Sequence, residues 1–104
     1  MAAFRISVRA EADLLSIGTY TLRAWGEVQA ALYMSELEAC CQMLAGNPAL
    51  GRMCGHIRPG LRRMEHGKHV LFYREEAANI LVSRILHLRT LPERHFFDDE
   101  ENGQ

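Results

Sequence analysis

No apolar run in these 104 residues approaches the roughly 20 that a helix needs to span a bilayer. The opening Met1-Ala2-Ala3-Phe4-Arg5 passes straight into alternating residues, without the apolar core of an export signal. A cytoplasmic chain that stays out of the membrane is therefore expected. Cysteine is scarce and odd in number: three residues, two of them the adjacent Cys40 and Cys41. Neither a disulfide framework nor a zinc-ligand spacing follows, and the three read as reduced packing thiols. There is no glycine-rich phosphate loop, no metal-ligand cluster and no serine nucleophile elbow. Neither metal nor cofactor is expected, and no residue stands out as catalytic. Lysine is almost missing, with only Lys68, and no tyrosine follows Tyr73.

What is present is a modest core and a segregated charge. Apolar residues make up 48% of the chain, enough for one ordinary globule, expected over residues 1–97 and followed by an acidic, mobile tail at 98–104. A domain this small is marginal alone, so a partner that covers part of it would matter for stability. The net charge of -1 hides an uneven distribution. Residues 1–51 hold three basic and five acidic side chains, whereas residues 52–95 hold nine basic, four acidic and all five histidines. Asp98, Asp99, Glu100 and Glu101 then follow in a row. Eleven of the twelve basic residues are arginine, whose planar fork suits carboxylates and phosphates.

Periodicity gives the order of elements. Phe4, Ile6 and Val8 alternate with Arg5, Ser7 and Arg9, the pattern of a half-buried strand. Leu14, Ile17, Thr21 and Ala24 or Trp25 then fall at helical spacing, with Glu11 and Asp13 in a first turn that favours acids. Gly26 ends this helix. A second begins at Glu27, where Ala30, Tyr33, Met34, Leu37, Cys41 and Leu44 form its apolar stripe. Gly46-Asn47-Pro48 stops it, and so short a link predicts an antiparallel helical hairpin. Residues 49–60 read as a loop, and 61–65, 70–74 and 80–87 as three strands. The expected fold class is α+β: β-α-α-β-β-β, an N-terminal helical hairpin packed on a mainly antiparallel sheet.

The chemistry-bearing residues crowd the last third: Arg62, Arg63, Arg84, His87, Arg89, Arg94 and His95. Such a set can hold a phosphate or carboxylate, and histidine can move protons near neutral pH. Ideal strand alternation sends Arg84 and His87 to opposite faces, so both line one pocket only if a bulge or strand end intervenes. Arg62 likewise points away from Arg63. Trp25 and Tyr33 fall at core-facing helical positions and read as packing residues.

In order along the chain, the fragments Ala12-Asp13-Leu14, Ile17, Tyr20, Trp25-Gly26-Glu27, Gln29-Ala30, Tyr33 and Leu37-Glu38 resemble the helical hairpin of ParE-type toxins. So do Leu44, Asn47-Pro48 and Gly51-Arg52 at its close. Ile57-Arg58-Pro59-Gly60-Leu61-Arg62-Arg63, His69-Val70, Phe72-Tyr73-Arg74, Arg84-Ile85-Leu86-His87 and Arg89 continue the likeness. Each fragment is weak alone, but their ordered combination resembles the ParE/RelE superfamily over most of the chain.

This resemblance implies the toxin of a type II toxin–antitoxin pair, often described as a plasmid stabilisation protein. The ParE branch inhibits DNA gyrase and so replication. The RelE branch shares the fold but cleaves mRNA on the ribosome, which needs several cations and a general acid or base, commonly a tyrosine near the C-terminus. The wording here fits ParE better, although His95 stands roughly where such a group would be. The resemblance therefore implies an inhibitor rather than a catalyst, in a hetero-oligomer with a ParD-like antitoxin and without sequence-specific DNA binding. The alternatives are a RelE-type endoribonuclease and a non-toxic antitoxin-binding module. Target contacts are expected at Arg84, His87, Arg89, Arg94 and His95, and antitoxin contacts at Arg58, Arg62, Arg63, Tyr33 and Leu37.

Overall fold

Ser7 converts the opening strand into a helix. In the computed structural model, which describes residues 3–102 (99–102 by backbone alone), β1 (Phe4–Ile6) is followed directly by α1 (Val8–Trp25). The Ser7 backbone is extended, and its hydroxyl accepts from the Ala10 N–H at 3.0 Å, satisfying one otherwise orphaned donor of the first turn. The same hydroxyl donates to the Ser83 carbonyl at 2.7 Å, fastening the start of the helix to the sheet. The alternation of Phe4, Ile6 and Val8 thus ends early: Val8 is helical and 57% exposed.

Gly26 has φ of 88°, a conformation only glycine adopts readily, and it serves both helices. Its N–H closes α1 on the Leu22 carbonyl, and its own carbonyl accepts from Ala30 in α2 (Glu27–Gly46). The helices fold back as a hairpin on a five-stranded sheet of β1, β2 (Arg52–Met53), β3 (Arg62–His66), β4 (His69–Glu75) and β5 (Ile80–His87), in the order β1-β5-β4-β3-β2. Only β1 and β5 run parallel. The loop expected over 49–60 holds a short 3-10 turn (Pro48–Leu50) and one further strand, β2 (Arg52–Met53). That strand is too short to show a period of two, and it exists because Arg52 and Met53 pair with Arg63 and Arg62.

β5 carries a bulge. Val82 pairs with Tyr73 and Arg84 with Phe72, so Ser83 opposes nothing on β4. Regular alternation would put Val82 and Arg84 on one face. Instead Ile80, Val82 and Ile85 pack toward the helices, with His87 following, while Arg84 and Leu86 turn to the other face. The sheet therefore has two cores. The helix side joins Leu37, Cys41 and Leu44 to Leu71, Tyr73, Ile80 and Val82. The far side joins Cys54, Ile57, Leu61, Val70 and Phe72 to Phe97, from a C-terminal 3-10 segment (Arg94–Asn102). Each fully buried leucine or phenylalanine contributes about 1.5–3 kcal/mol.

The three cysteines are buried free thiols, and burial pushes Cys41 up to about 12, as expected of packing residues. No helix among the described residues is long and apolar enough to cross a membrane. Of the tail expected to be mobile, residues 98–102 continue the 3-10 segment, and 103–104 lie outside the described residues.

Tyr73 is wholly buried, and its hydroxyl donates to the Pro48 carbonyl at 2.6 Å and accepts from the Gly51 N–H at 2.8 Å. It ties the end of the hairpin to the sheet. Tyr73→Phe leaves both backbone groups without that partner and is expected to cost about 1–3 kcal/mol, read from urea denaturation at unchanged m-value.

Candidate functional site at the open end of the last strand

Because β1 is three residues long, it covers β5 only from Ile80 to Val82. Beyond the bulge the edge of β5 meets a side chain rather than a strand. One oxygen of Asp13, in α1, accepts from the Ile85 N–H at 3.0 Å and from Arg84 Nε at 2.8 Å. Its other oxygen accepts from Arg84 Nη2 at 2.8 Å. Arg84 reaches around the sheet edge from the far face and also donates to the Phe96 carbonyl at 3.1 Å. Both partners are largely buried, their side chains 16% and 14% exposed. Asp13 is thus set by this fork and not by the helix dipole, since α1 begins at Val8 and Asp13 lies past its first turn.

Above this clamp a groove of about 740 Å³ opens between α1, the start of α2 and the end of β5. Ile17, Tyr20 and Trp25 form one wall, with Ile85 opposite. Trp25 is 65% exposed and Tyr20 68%, so Trp25 is not the core residue that helical spacing predicts. It closes α1 beside Gly26 and lines the groove instead of the core.

The polar wall is organised by Tyr33. Its hydroxyl lies 2.7 Å from His69 Nδ1, contacts the His66 carbonyl at 3.2 Å and accepts from the Lys68 N–H at 3.2 Å. Gly67, at φ of 57°, makes the turn beneath it, because a Cβ there would run into the Tyr33 ring. The His87 ring meets His69 edge-on at 5.6 Å, and His66 faces Glu36 at 3.2 Å. Burial holds His69 below the ordinary histidine value, and its neighbours His87 and His66 lower it further.

The residues expected to act together are dispersed. His87 lies in the groove beside Tyr33, which joins a residue expected at the target to one expected at the antitoxin. Arg84 is committed to Asp13. Arg89, Arg94 and His95 are exposed beyond the strand, with His95 against Glu93 and Phe96. Arg58 pairs with Asp98 at 3.3 Å, Arg63 lies over the Phe72 ring on the far face, and Arg62 donates to the Gly51 carbonyl. The three therefore do not form one basic face. Leu37, expected at the antitoxin contact, is 1% exposed in the helix-side core. No group of three or more His, Cys, Asp or Glu among the described residues could hold a metal ion. Residue-type counting overlooked Asp13, Tyr20, Trp25 and His69, because the groove depends on where β1 stops and where β5 bulges.

The family model for the ParE toxin of the type II toxin–antitoxin system parDE matches residues 4–92. Toxin ParE1 of Caulobacter vibrioides is 42% identical over 87 residues, covering 84% of this chain and 90% of its own. Toxin ParE1 of Mycobacterium tuberculosis H37Rv is 40% identical over 87 residues, covering 83% and 89%. Toxin ParE of Escherichia coli is 34% identical over 90 residues, covering 86% and 87%. A solved structure titled "Chromosomal ParDE TA system from P. aeruginosa" superposes with a TM-score of 0.72 at 20% identity, over 86% of this chain and 98% of that one, and shows the same fold.

Arg84→Ala strands a largely buried carboxylate, and is expected to lower unfolding stability by about 2–3 kcal/mol. Arg89→Ala should leave stability unchanged. Urea denaturation of the two variants checks the contrast, and equal stabilities would remove the clamp from the account.

Proposed function

The chain belongs to the ParE toxin family of type II toxin–antitoxin systems, and from that premise we propose that it inhibits DNA gyrase by binding and is silenced by an antitoxin seated in the groove above β5. The observation that carries the antitoxin half is the groove itself, a concave surface with an exposed tryptophan and tyrosine. Aromatic residues at the centre of a desolvated contact supply most of the energy of protein interfaces. The outer hairpin adds Leu15, Leu22, Val28 and Leu32, all exposed, on a helix pair that leaves much apolar surface uncovered. A flexible antitoxin segment can wrap such a surface, and covering it stabilises a small domain by binding only its folded form. Gyrase and antitoxin would both meet the toxin in the cytoplasm.

Inhibition by binding is favoured over RNA cleavage by the way the cations are spent. A ribonuclease aims several cations and an acid or base at one scissile phosphate. Here Arg84 is held by Asp13, Arg62 by the Gly51 carbonyl and Arg58 by Asp98. The sheet face opposite the helices is filled by Phe97, with its ring 5.2 Å from that of Phe72. His95 stands with Glu93 rather than with these arginines.

Purified toxin is expected to block gyrase supercoiling and to leave ribosome-bound mRNA intact. Clean mRNA cleavage with untouched gyrase would overturn the assignment, and silence in both assays would favour a non-toxic module. Trp25→Ala is expected to weaken the antitoxin complex by about 2 kcal/mol, roughly 30-fold in Kd, by titration calorimetry. The melting temperature of the free toxin should scarcely move, because Trp25 is exposed.

A further inference from the structure

Four cationic or ionisable basic groups meet around one wall of the groove. His69 of β4 faces His87 of β5 and the Tyr33 hydroxyl of α2, with His66 at the end of β3 and Lys68 in the turn beside it. Two carboxylates lie nearby: Glu36 sits 3.2 Å from His66 within the cluster, and Asp13 holds Arg84 and the Ile85 N–H. A proton added to His69 therefore finds no carboxylate in direct contact among the described residues. The other walls, with Ile17, Trp25 and Ile85, are largely hydrocarbon.

We propose that the groove accepts a neutral aromatic or branched aliphatic side chain of the antitoxin against His69, and that acid releases it by protonating that histidine. The inference rests on the reading of the groove as the antitoxin seat and adds its regulation. The occupant must be uncharged and apolar to gain from walls of Trp25, Ile17 and Ile85. Once seated, it strips the remaining water from a ring that is already half-buried.

The network tolerates both protonation states of the free toxin. With a bare Nδ1, His69 accepts the Tyr33 proton. With a protonated Nδ1 it donates to the Tyr33 oxygen, and that hydroxyl turns to the His66 carbonyl. Protonation of the free toxin thus costs no hydrogen bond, whereas protonation under a bound apolar side chain leaves a cation without water or carboxylate. The sign follows. In the free toxin His69 already titrates below the ordinary histidine value, and covering it lowers that value again. Affinity is complete above the free-toxin value and declines as pH falls through it, because only the free form takes up the proton.

The test is the Kd of this chain for its cognate antitoxin, at about pH 7.5 and about pH 5, in wild type and in His69→Asn, whose amide keeps a hydrogen-bonding atom near Nδ1. Wild-type affinity should fall on acidification, by at most about tenfold for each pH unit below the free-toxin His69 value, and that of the variant should scarcely change. The same pH dependence in both proteins would overturn the inference and leave the toxin–antitoxin reading standing. No complex at the higher pH would overturn that reading and the inference with it. Histidine ring NMR of wild type keeps the test open should the variant fold poorly. The His69 titration should move to lower pH on binding, and a midpoint that stays or rises overturns the proposal.

Discussion

The carboxylate of Asp13 decides what the rest of the molecule can present. It takes the guanidinium of Arg84 and the N–H of Ile85 together, and so replaces the neighbouring strand that β1 is too short to supply. A bare strand edge is a template for uncontrolled pairing. Here one side chain occupies the first open position and leaves a groove above it. The same contact holds α1 against the sheet and, through the Phe96 carbonyl, fixes the C-terminal segment that fills the far face.

Division of labour between the two faces follows from that arrangement. The far face is closed by Phe97 and by the loop carrying Cys54 and Ile57, with arginines at its margins engaged in ion pairs or ring contacts. The helix side is closed over most of its area but gapes at the end of β5, where aromatic side chains stand exposed. Apolar surface is costly to leave in water at about 25 cal/mol per Å², so its persistence here supports a chain that spends its life against a partner.

Much of this was legible in the sequence. The helical stripe Ala30, Tyr33, Met34, Leu37, Cys41 and Leu44 is the face that packs, and Gly26 and Gly46-Asn47-Pro48 mark the helix ends where they fall. Family membership was likewise written in the ordered fragments. The site was harder, for physical reasons. A residue that opposes nothing, Ser83, leaves no mark in hydrophobicity but reverses the faces of everything after it. That reversal brings His87 to Tyr33 and sends Arg84 around the edge to Asp13. Trp25 satisfies the helical period yet stands exposed at the groove, and periodicity carries no information about where the opposing layer leaves a gap. The arginines crowd together in sequence, but alternation already separates Arg62 from Arg63, and each is held by its own neighbour, the Gly51 carbonyl and the Phe72 ring.

Hydrogen exchange on the toxin, free and bound to its antitoxin, tests most directly whether the groove above β5 is the antitoxin's seat. Slowed exchange is predicted at residues 17–26 and 85–90, with little change over residues 54–61 on the far face. Protection confined to residues 54–61, with the groove exchanging as in the free toxin, would contradict the account.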